Sequence, residues 1–372
     1  MPLTKYKLGE LIERVECRNT NLKYGIDDVR GISNSKEIQP TKADVSNRSF
    51  KRFQIVSPEE FVFNRRTTRM GEKIGLGYNS FDTPFIVIED YVVFKVTSEH
   101  LLSSYLNIFF RRSEFDRYVR WDSWGSATEF FNWEEMCDVE IELPPLEIQQ
   151  KYVDIYNAML QNQKTYEMGA EDLKLVCDGY IENLKKYVKL QSLKDYITRV
   201  DIRNGKDGTK NVMGISVYKE FREPTSKVNK DTLSNYKVVK PKQIAFVQTT
   251  HNEKVFAYAL NNTNNDIVVS SVNEVFATDN SKVLPEFLAM FFSRTEFDRY
   301  ARYNSWGSAR ETFTFKELIE VKIPIPDITV QQSIVNIYNA YIMRKDVAEK
   351  LKQQLKDVCP VLIKGAIEEA RE

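Results

Sequence analysis

The sequence is poor in the residues that most often carry enzyme chemistry. It contains two histidines, His100 and His251, which leave little for general-base or metal chemistry. None of its four cysteines forms a C-x-x-C pair, so neither a zinc site nor a disulfide framework is indicated. We interpret the cysteines as ordinary thiols.

Phosphate-binding and nucleophile motifs are also missing. The sequence has no G-x-x-x-x-G-K-[ST] and no G-x-S-x-G. The glycines of Gly71–Gly77 miss the G-x-G-x-x-G spacing, so we interpret this stretch as a loop between strands. We therefore predict a chain that performs no catalysis, with no metal or cofactor of its own.

Long apolar runs and an excess of charge are absent as well. Without a run of membrane-spanning length or a signal-peptide pattern, we expect a soluble, cytoplasmic protein without membrane contact. The 53 basic and 53 acidic residues cancel, which disfavours nucleic-acid binding by bulk electrostatics but not by local basic surfaces. The basic residues cluster at Arg65, Arg66, Arg69 and Lys73, at Arg111, Arg112, Arg117 and Arg120, and again at Arg294, Arg299 and Arg302.

The chain does contain a long internal repeat. Phe109–Gly125 reads FFRRSEFDRYVRWDSWG and Phe291–Gly307 reads FFSRTEFDRYARYNSWG, at an offset of 182 (297 − 115 for the phenylalanines of EFDRY). Two copies are too few for a solenoid, and the period has the size of a domain with its connector. The repeat predicts two similar domains, each with several short strands and a helix. In the first copy, Phe61–Phe63 is one such strand and the helix covers residues 101–120.

A long helix is predicted after each domain. Apolar positions seven residues apart over several heptads favour a coiled coil, and the alternative is a single amphipathic core helix. Pro360 is expected to limit or kink the second helix. The predicted seam residues are Tyr152, Ile155, Met159, Asn162, Tyr166, Gly169, Leu173, Val176, Tyr180 and Tyr187 in the first helix, and Ile334, Ile337, Tyr341, Arg344, Ala348, Leu351, Leu355, Val358, Leu362 and Glu369 in the second. Asn162, Gly169 and Arg344 are poor seam residues and mark weak spots.

These patterns predict an α+β protein. It would have two similar α/β domains separated by two long antiparallel coiled-coil helices, related by a pseudo-twofold axis. The predicted boundaries are 1–145 for the first domain, 146–188 for the first helix, 189–326 for the second domain and 327–372 for the second helix.

One loop of each domain has side chains suited to DNA. In the first copy it follows the strand Phe61–Phe63, and its arginines fit guanine edges and phosphates. The second copy keeps the two threonines and a lysine but replaces the arginines, as two different half-sites would require. An ordinary polar surface loop is the alternative. The candidate residues are Asn64, Arg65, Arg66, Thr67, Thr68, Arg69 and Lys73, and Gln248, Thr249, Thr250, His251, Asn252 and Lys254.

The segment at the end of EFDRY is the second candidate for DNA contact. Glycine allows close backbone approach, and serine and arginine can hold phosphate. The alternative is internal packing, which we favour for the aromatic residues. The candidates are Arg117, Arg120, Ser123, Gly125 and Ser126, and Arg299, Arg302, Ser305, Gly307, Ser308 and Arg310.

The layout resembles the specificity (S) subunit of type I restriction–modification systems. The resemblance rests on Trp124–Ala127 and on the junctions at Val139–Met159 and Val321–Tyr341, each leading through proline into a heptad helix. The first junction keeps Leu143–Leu146 and Gln150, and the second has Gln332. The resemblance covers the whole chain, and two such junctions half a chain apart make it specific.

The resemblance implies a non-catalytic DNA-recognition subunit. Each globular domain would be a target recognition domain that reads one half of a bipartite, asymmetric site in double-stranded DNA. The paired helices would set the half-site spacing and dock two methyltransferase subunits that use S-adenosylmethionine, and motor–nuclease subunits would join them. Two alternatives stay open: the specificity subunit of a stand-alone methyltransferase, and a coiled-coil protein-interaction scaffold.

Overall fold

The protein divides into two compact units with the same topology. The computed structural model describes residues 3–67, 73–123, 129–206, 208–225, 228, 230–249, 255–307 and 311–372. Unit 1 comprises Met1–Thr165 and Val347–Glu372, and unit 2 comprises Tyr166–Asp346. The predicted domain boundaries stay predictions.

Unit 1 is built on a four-stranded antiparallel sheet of order β2-β9-β6-β7, with three two-stranded pairs, β1-β10, β3-β4 and β5-β8. Its strands are β1 (Lys5–Lys7), β2 (Ile12–Val15), β3 (Arg30–Ile32), β4 (Ile38–Pro40), β5 (Gln54–Val56), β6 (Phe61–Asn64), β7 (Leu76–Tyr78), β8 (Phe85–Val87), β9 (Tyr91–Val96) and β10 (Glu140–Glu142). Its helices are α1 (Ser103–Phe110), α2 (Ser113–Trp121), α3 (Trp133–Asp138) and the first part of α4 (Leu146–Tyr187).

Unit 2 repeats this plan with the sheet order β12-β19-β16-β17 and the pairs β11-β20, β13-β14 and β15-β18. Its strands are β11 (Leu190–Ser192), β12 (Ile197–Val200), β13 (Gly214–Ile215), β14 (Phe221–Arg222), β15 (Lys237–Val239), β16 (Ile244–Phe246), β17 (Tyr258–Leu260), β18 (Ile267–Val269), β19 (Glu274–Thr278) and β20 (Lys322–Pro324). Its helices are α5 (Pro285–Ser293), α6 (Thr295–Tyr303), α7 (Phe315–Ile319) and the early part of α8 (Ile328–Glu369).

The central strand of each sheet is buried on both faces, which explains its continuous apolar sequence. In β6, Phe61 and Phe63 belong to the main core, where Phe61 stacks on Phe94 at a centroid distance of 5.0 Å. Val62 belongs to a second cluster on the other face, with Phe85. The single helix predicted for residues 101–120 is two helices, because Arg112 has extended backbone and begins α2.

A buried glutamine fixes the start of each long helix. The Gln149 amide donates to His100 O and Pro144 O, both at 2.8 Å, and its oxygen accepts from Leu102 N at 3.0 Å. Gln331 makes the same three bonds to Lys282 O, Pro326 O and Leu284 N. The glutamines quoted from the junction motif, Gln150 and Gln332, lie one residue further on, are exposed and bond along the helix.

The two helices pack antiparallel within each unit. In unit 1, the Tyr152 hydroxyl near the start of α4 donates to Glu369 near the end of α8, at 3.1 Å. In unit 2, Cys177 in the later part of α4 shares a core with Ile334 in the early part of α8. Helix α8 continues past Pro360, so the expectation that this proline limits the helix is wrong. Leu362, Ile363 and Ala366 beyond it are buried, and this burial offsets the roughly 3 kcal/mol cost of an internal proline.

The predicted seam is correct in α8 and wrong in α4. Ile334, Ala348, Leu355 and Leu362 are buried as expected. In α4, Ile155, Tyr166, Val176, Tyr180 and Tyr187 are exposed, and the buried residues lie one position away: Val153, Tyr156, Gln163, Ala170, Cys177 and Ile181. The aromatic residues gave the stronger heptad signal, whereas the middle of the buried face of α4 consists of Gln163, Ala170 and Cys177, which give little hydropathy signal.

In the part of the chain that the structure describes, no helix is long and apolar enough to cross a membrane.

Candidate nucleic-acid interface

The structure brings the two predicted DNA-contact elements together in each unit. In unit 1, the backbone after β6 bridges the segment after α2: Phe131 N donates to Arg65 O at 2.9 Å and Thr67 N to Glu129 O at 3.1 Å. In unit 2, Phe313 N donates to Gln248 O at 2.7 Å, and Thr249 and Trp306 each form a bridge with Thr312. More than fifty residues of sequence separate these elements, and the bridges join them into one surface in each unit.

In unit 1, the predicted residues divide into exposed and internal ones. Arg66 is exposed and pairs with Asp90 at 3.4 Å, and Lys73, Arg117 and Arg120 are exposed as well. Asn64 and Arg65 are half-buried, and Asn64 accepts a hydrogen bond from Arg66 N at 3.1 Å.

Two further candidates of unit 1 point inward. Thr67 is buried and donates to Glu129 O, and the Ser123 hydroxyl, which is half-buried, donates to Val119 O at 2.5 Å. These two side chains hold the surface together and are poorly placed to bind DNA.

Unit 2 has the same division. Arg299 and Arg302 on α6 are exposed, as is Gly307, whose φ of +133° suits glycine. The Ser305 hydroxyl donates to Ala301 O at 2.7 Å, as Ser123 does in unit 1. Gln248 and Thr249 are half-buried at the end of β16.

The remaining candidates lie outside the described residues: Thr68, Arg69, Gly125, Ser126, Thr250, His251, Asn252, Lys254, Ser308 and Arg310. Their assignment as DNA contacts, like that of the described candidates, stays a prediction.

A buried lysine supports the interface in both units. Lys36 is 5% exposed, pairs with Asp116 of EFDRY at 2.7 Å and donates to Phe110 O at 2.6 Å. Lys219 is 11% exposed, pairs with Asp298 at 2.9 Å and donates to Phe292 O at 2.8 Å. Burial lowers the pKa of both lysines, opposed by the paired aspartate.

The same aspartates anchor the chain just beyond each candidate loop. Asp116 accepts from Ile74 N at 3.4 Å, and Asp298 from Phe256 N at 3.0 Å. The lysines have left-handed backbone, with φ of +62° for Lys36 and +67° for Lys219. Such a backbone is costly for lysine, and the salt bridge and hydrogen bonds hold it in place. We call this arrangement the lysine–aspartate clamp.

The expectation that the aromatic residues near EFDRY pack internally holds only in part. Phe115 and Phe297 are buried, but Trp121 is 79% exposed, and its counterpart Tyr303 is 87% exposed. Six residues after the buried phenylalanine, a helical position lies on the opposite face, which explains the exposure. Trp306 is 72% exposed as well. Exposed rings therefore stand beside the exposed arginines.

Three arginines of the predicted basic clusters are internal instead. Arg111 pairs with Glu37 at 2.9 Å, and Arg112 packs on the Phe109 ring and donates to Phe109 O. Arg294 pairs with Asp178 at 2.8 Å and Glu182 at 2.6 Å. The basic surfaces are therefore smaller than the sequence predicts.

The described part of the chain contains no arrangement of side chains that could hold a metal ion. Groups of three or more potential metal ligands do not occur among these residues. Burial raises the pKa of the Cys177 and Cys359 thiols to about 11, which is the opposite of what a reactive cysteine needs.

Comparisons with known proteins find similarity in sequence for part of the chain and in fold for the whole chain. Residues 195–357 match the family model of the type I restriction modification DNA specificity domain, and all of this match except residues 347–357 lies in unit 2. The specificity-subunit family is a non-catalytic DNA-recognition component. The matched residues therefore belong to the family that the whole sequence resembles.

The chain is also similar to solved structures, one of which shows the fold of the whole chain. The S subunit of a type I restriction-modification system from M. genitalium is 9% identical, with a TM-score of 0.58, and the match covers 98% of this chain and 96% of that chain. The HsdS subunit from Thermoanaerobacter tengcongensis is 15% identical, with a TM-score of 0.40 and the same coverage. The first likeness confirms the predicted mixed fold, with two β-rich domains and two long helices. No curated protein matches the chain in sequence.

Proposed function

We propose that each unit reads one half of a bipartite, asymmetric DNA site. The observation that carries this proposal is the bridged surface, which occurs at the same place in both units and joins the loop after β6 or β16 to the end of α2 or α6. The exposed arginines fit phosphates, and the loop side chains that differ between the units fit base edges.

The long helices would set the distance between the half-sites. Each has 42 residues, which corresponds to roughly 60 Å. We further propose that this chain binds two adenine-methyltransferase subunits, which bind S-adenosylmethionine, and that motor–nuclease subunits complete the assembly. Co-purification of a motor–nuclease partner would distinguish this complete assembly from one that contains methyltransferase subunits alone.

Sequencing the sites methylated by the reconstituted complex tests the proposal. Substituting Arg65, Arg66 and Arg69 by alanine should abolish recognition of one half-site and leave the other intact. Matched removal of charge in unit 2, with Arg299→Gln and Arg302→Gln, should weaken binding evenly across sequences and reduce its salt dependence. If the alanine variant of Arg65, Arg66 and Arg69 methylates the same sites as the unchanged complex, the loop after β6 does not read DNA.

A seven-residue insertion in α4 tests the role of the helices. The accepted spacer should change, or assembly should fail, if the helices measure the gap between half-sites. An unaltered spacer in an assembled complex would exclude that role.

A further inference from the structure

A buried polar network lies beneath the candidate loop of unit 2. The Glu274 carboxylate, 4% exposed, accepts two hydrogen bonds from Arg199, at 2.7 and 2.6 Å. It also pairs with Lys237, which is 3% exposed, at 3.3 Å. The contacts with Arg199 and Lys237 fix the position of this buried carboxylate.

This network holds the side chain of Gln248. The Gln248 Nε2 donates to Glu274 Oε1 and to Val272 O, each at 3.2 Å. Both partners can only accept hydrogen bonds, so the orientation of the amide follows from chemistry: the nitrogen must face them. With both amide hydrogens in use, the group that Gln248 can offer to another molecule is its carbonyl oxygen.

Unit 1 has a different set of residues at the same positions. The strand registers pair Phe63 with Val92 and Phe246 with Glu274, so Val92 takes the place of the glutamate. Gln54 similarly takes the place of Lys237, since each pairs with a valine at the same register. The counterpart of Gln248 is Arg65, whose carbonyl accepts the equivalent backbone bond. The network is therefore a feature of one reader, although both have the same fold.

We propose that Gln248 is a specificity-determining residue that Glu274 holds as a hydrogen-bond acceptor, favouring adenine or cytosine at one position of one half-site. The inference rests on the proposed function, because it requires that unit 2 reads DNA. In the major groove, adenine and cytosine present an amino group, whereas guanine and thymine present a carbonyl oxygen that would face the glutamine oxygen.

The same geometry predicts that adenine and cytosine are accepted alike. The usual two-bond contact between glutamine and adenine needs Nε2 to donate to N7. Because Glu274 and Val272 take both hydrogens, this second bond is not made. One hydrogen bond gives about tenfold preference for either base over guanine or thymine.

The test uses the full chain assembled with its methyltransferase subunits and a library of randomised DNA duplexes. Bound duplexes are sequenced for the unchanged complex and for Gln248→Arg, which copies Arg65. The variant should change one position of one half-site, from adenine or cytosine to guanine. Gln248→Met, which lacks both amide groups and adds no charge, should remove the preference at that position.

A second variant tests the role of the network. Lys237→Gln combined with Glu274→Val copies the residues of unit 1 and leaves neither charge buried alone. It frees the amide hydrogen of Gln248 that Glu274 accepts, so this hydrogen can bond adenine N7, and adenine should gain about tenfold over cytosine at the same position. Thermal unfolding confirms that each variant is folded.

Each outcome distinguishes the inference from the proposed function. If the unchanged complex selects no sequence, the proposed function fails. If it selects a bipartite site that Gln248→Arg and Gln248→Met leave unaltered, or if the altered position originally favours guanine or thymine, the inference about Gln248 fails. An unchanged ratio of adenine to cytosine in the double variant would exclude the orienting role of Glu274.

Discussion

The two units share a framework but differ in the polar groups beside their candidate loops. The lysine–aspartate clamp and the buried glutamine recur with the same partners. The layer beneath the loop is apolar at Val92 in unit 1 and charged at Glu274 in unit 2. The framework residues therefore hold the loop in position in both units, and under the proposed function the residues beside it would set what each loop recognises.

Removing the aspartate of the lysine–aspartate clamp should cause the largest loss of unfolding free energy, and the loss should be similar in the two units. Asp116→Ala leaves Lys36 buried without its counter-charge, and Asp298→Ala does the same to Lys219. We expect a loss of roughly 3–5 kcal/mol in unfolding free energy for each. Hydrogen exchange read by mass spectrometry assigns the loss to the altered unit, and Glu114→Ala on the exposed face of α2 is the control. A large loss in only one unit would show that the clamps are not equivalent.

Introducing the buried charged residues of unit 2 at the equivalent positions of unit 1 should have the next largest effect on the unfolding free energy. Val92→Glu buries a carboxylate and should cost about 3 kcal/mol in unfolding free energy. Adding Gln54→Lys supplies the missing cation beside Arg14, the counterpart of Arg199, and should recover most of the loss. Denaturant unfolding of the single and double variants measures the coupling. Equal stability of the two variants would contradict the proposed pairing.

Removing the buried amides should have a smaller effect. Gln149→Leu or Gln331→Leu leaves a backbone N–H and two carbonyls without their partner, at a cost of about 2 kcal/mol in unfolding free energy. The neighbouring Gln150→Leu and Gln332→Leu are matched controls on the exposed side of the helix, with little expected change. Thermal unfolding compares the four variants. Equal losses at positions 149 and 150 would refute the structural role.

Acid should weaken unit 2 slightly and specifically. Hydrogen bonds from Lys185 and Arg294 lower the pKa of Glu182 to about 2. A carboxyl whose pKa is lowered on folding contributes stability above its unfolded pKa of about 4.5, and this is lost as pH falls towards 2. Because Glu182 is half-exposed, we expect at most about 1 kcal/mol. The Glu182→Gln variant should lose this part of the pH dependence. In unit 1, the corresponding Arg112 packs on Phe109 instead.

Much of the fold could be predicted from the sequence because its signals are local or repeated. The apolar runs of β6 and β18 predict strands, and the heptads predict the two long helices. The register of α4 could not be predicted, because Gln163, Ala170 and Cys177 are buried through packing and not through hydropathy.

The site was predicted less completely. Arg117 and Arg299 are exposed as expected. The Thr67 and Ser123 side chains instead point inward and donate hydrogen bonds to backbone carbonyls, a direction that the sequence does not reveal. The clamp lysines were missed, although GIS-x-x-KE recurs at residues 31–37 and 214–220 and could have identified them. The interaction of Gln248 with Glu274 joins residues on different strands, which no local pattern reveals.

The division of the chain also sets the order in which the units can be completed during synthesis. Unit 2 is one continuous stretch, so its core can form once residue 346 has left the ribosome. The core of unit 1 includes Leu355, Cys359 and Ala366 together with Phe61 and Phe94. Although its first strands are made earliest, unit 1 stays incomplete until the second long helix emerges, and it is the later of the two to complete its core.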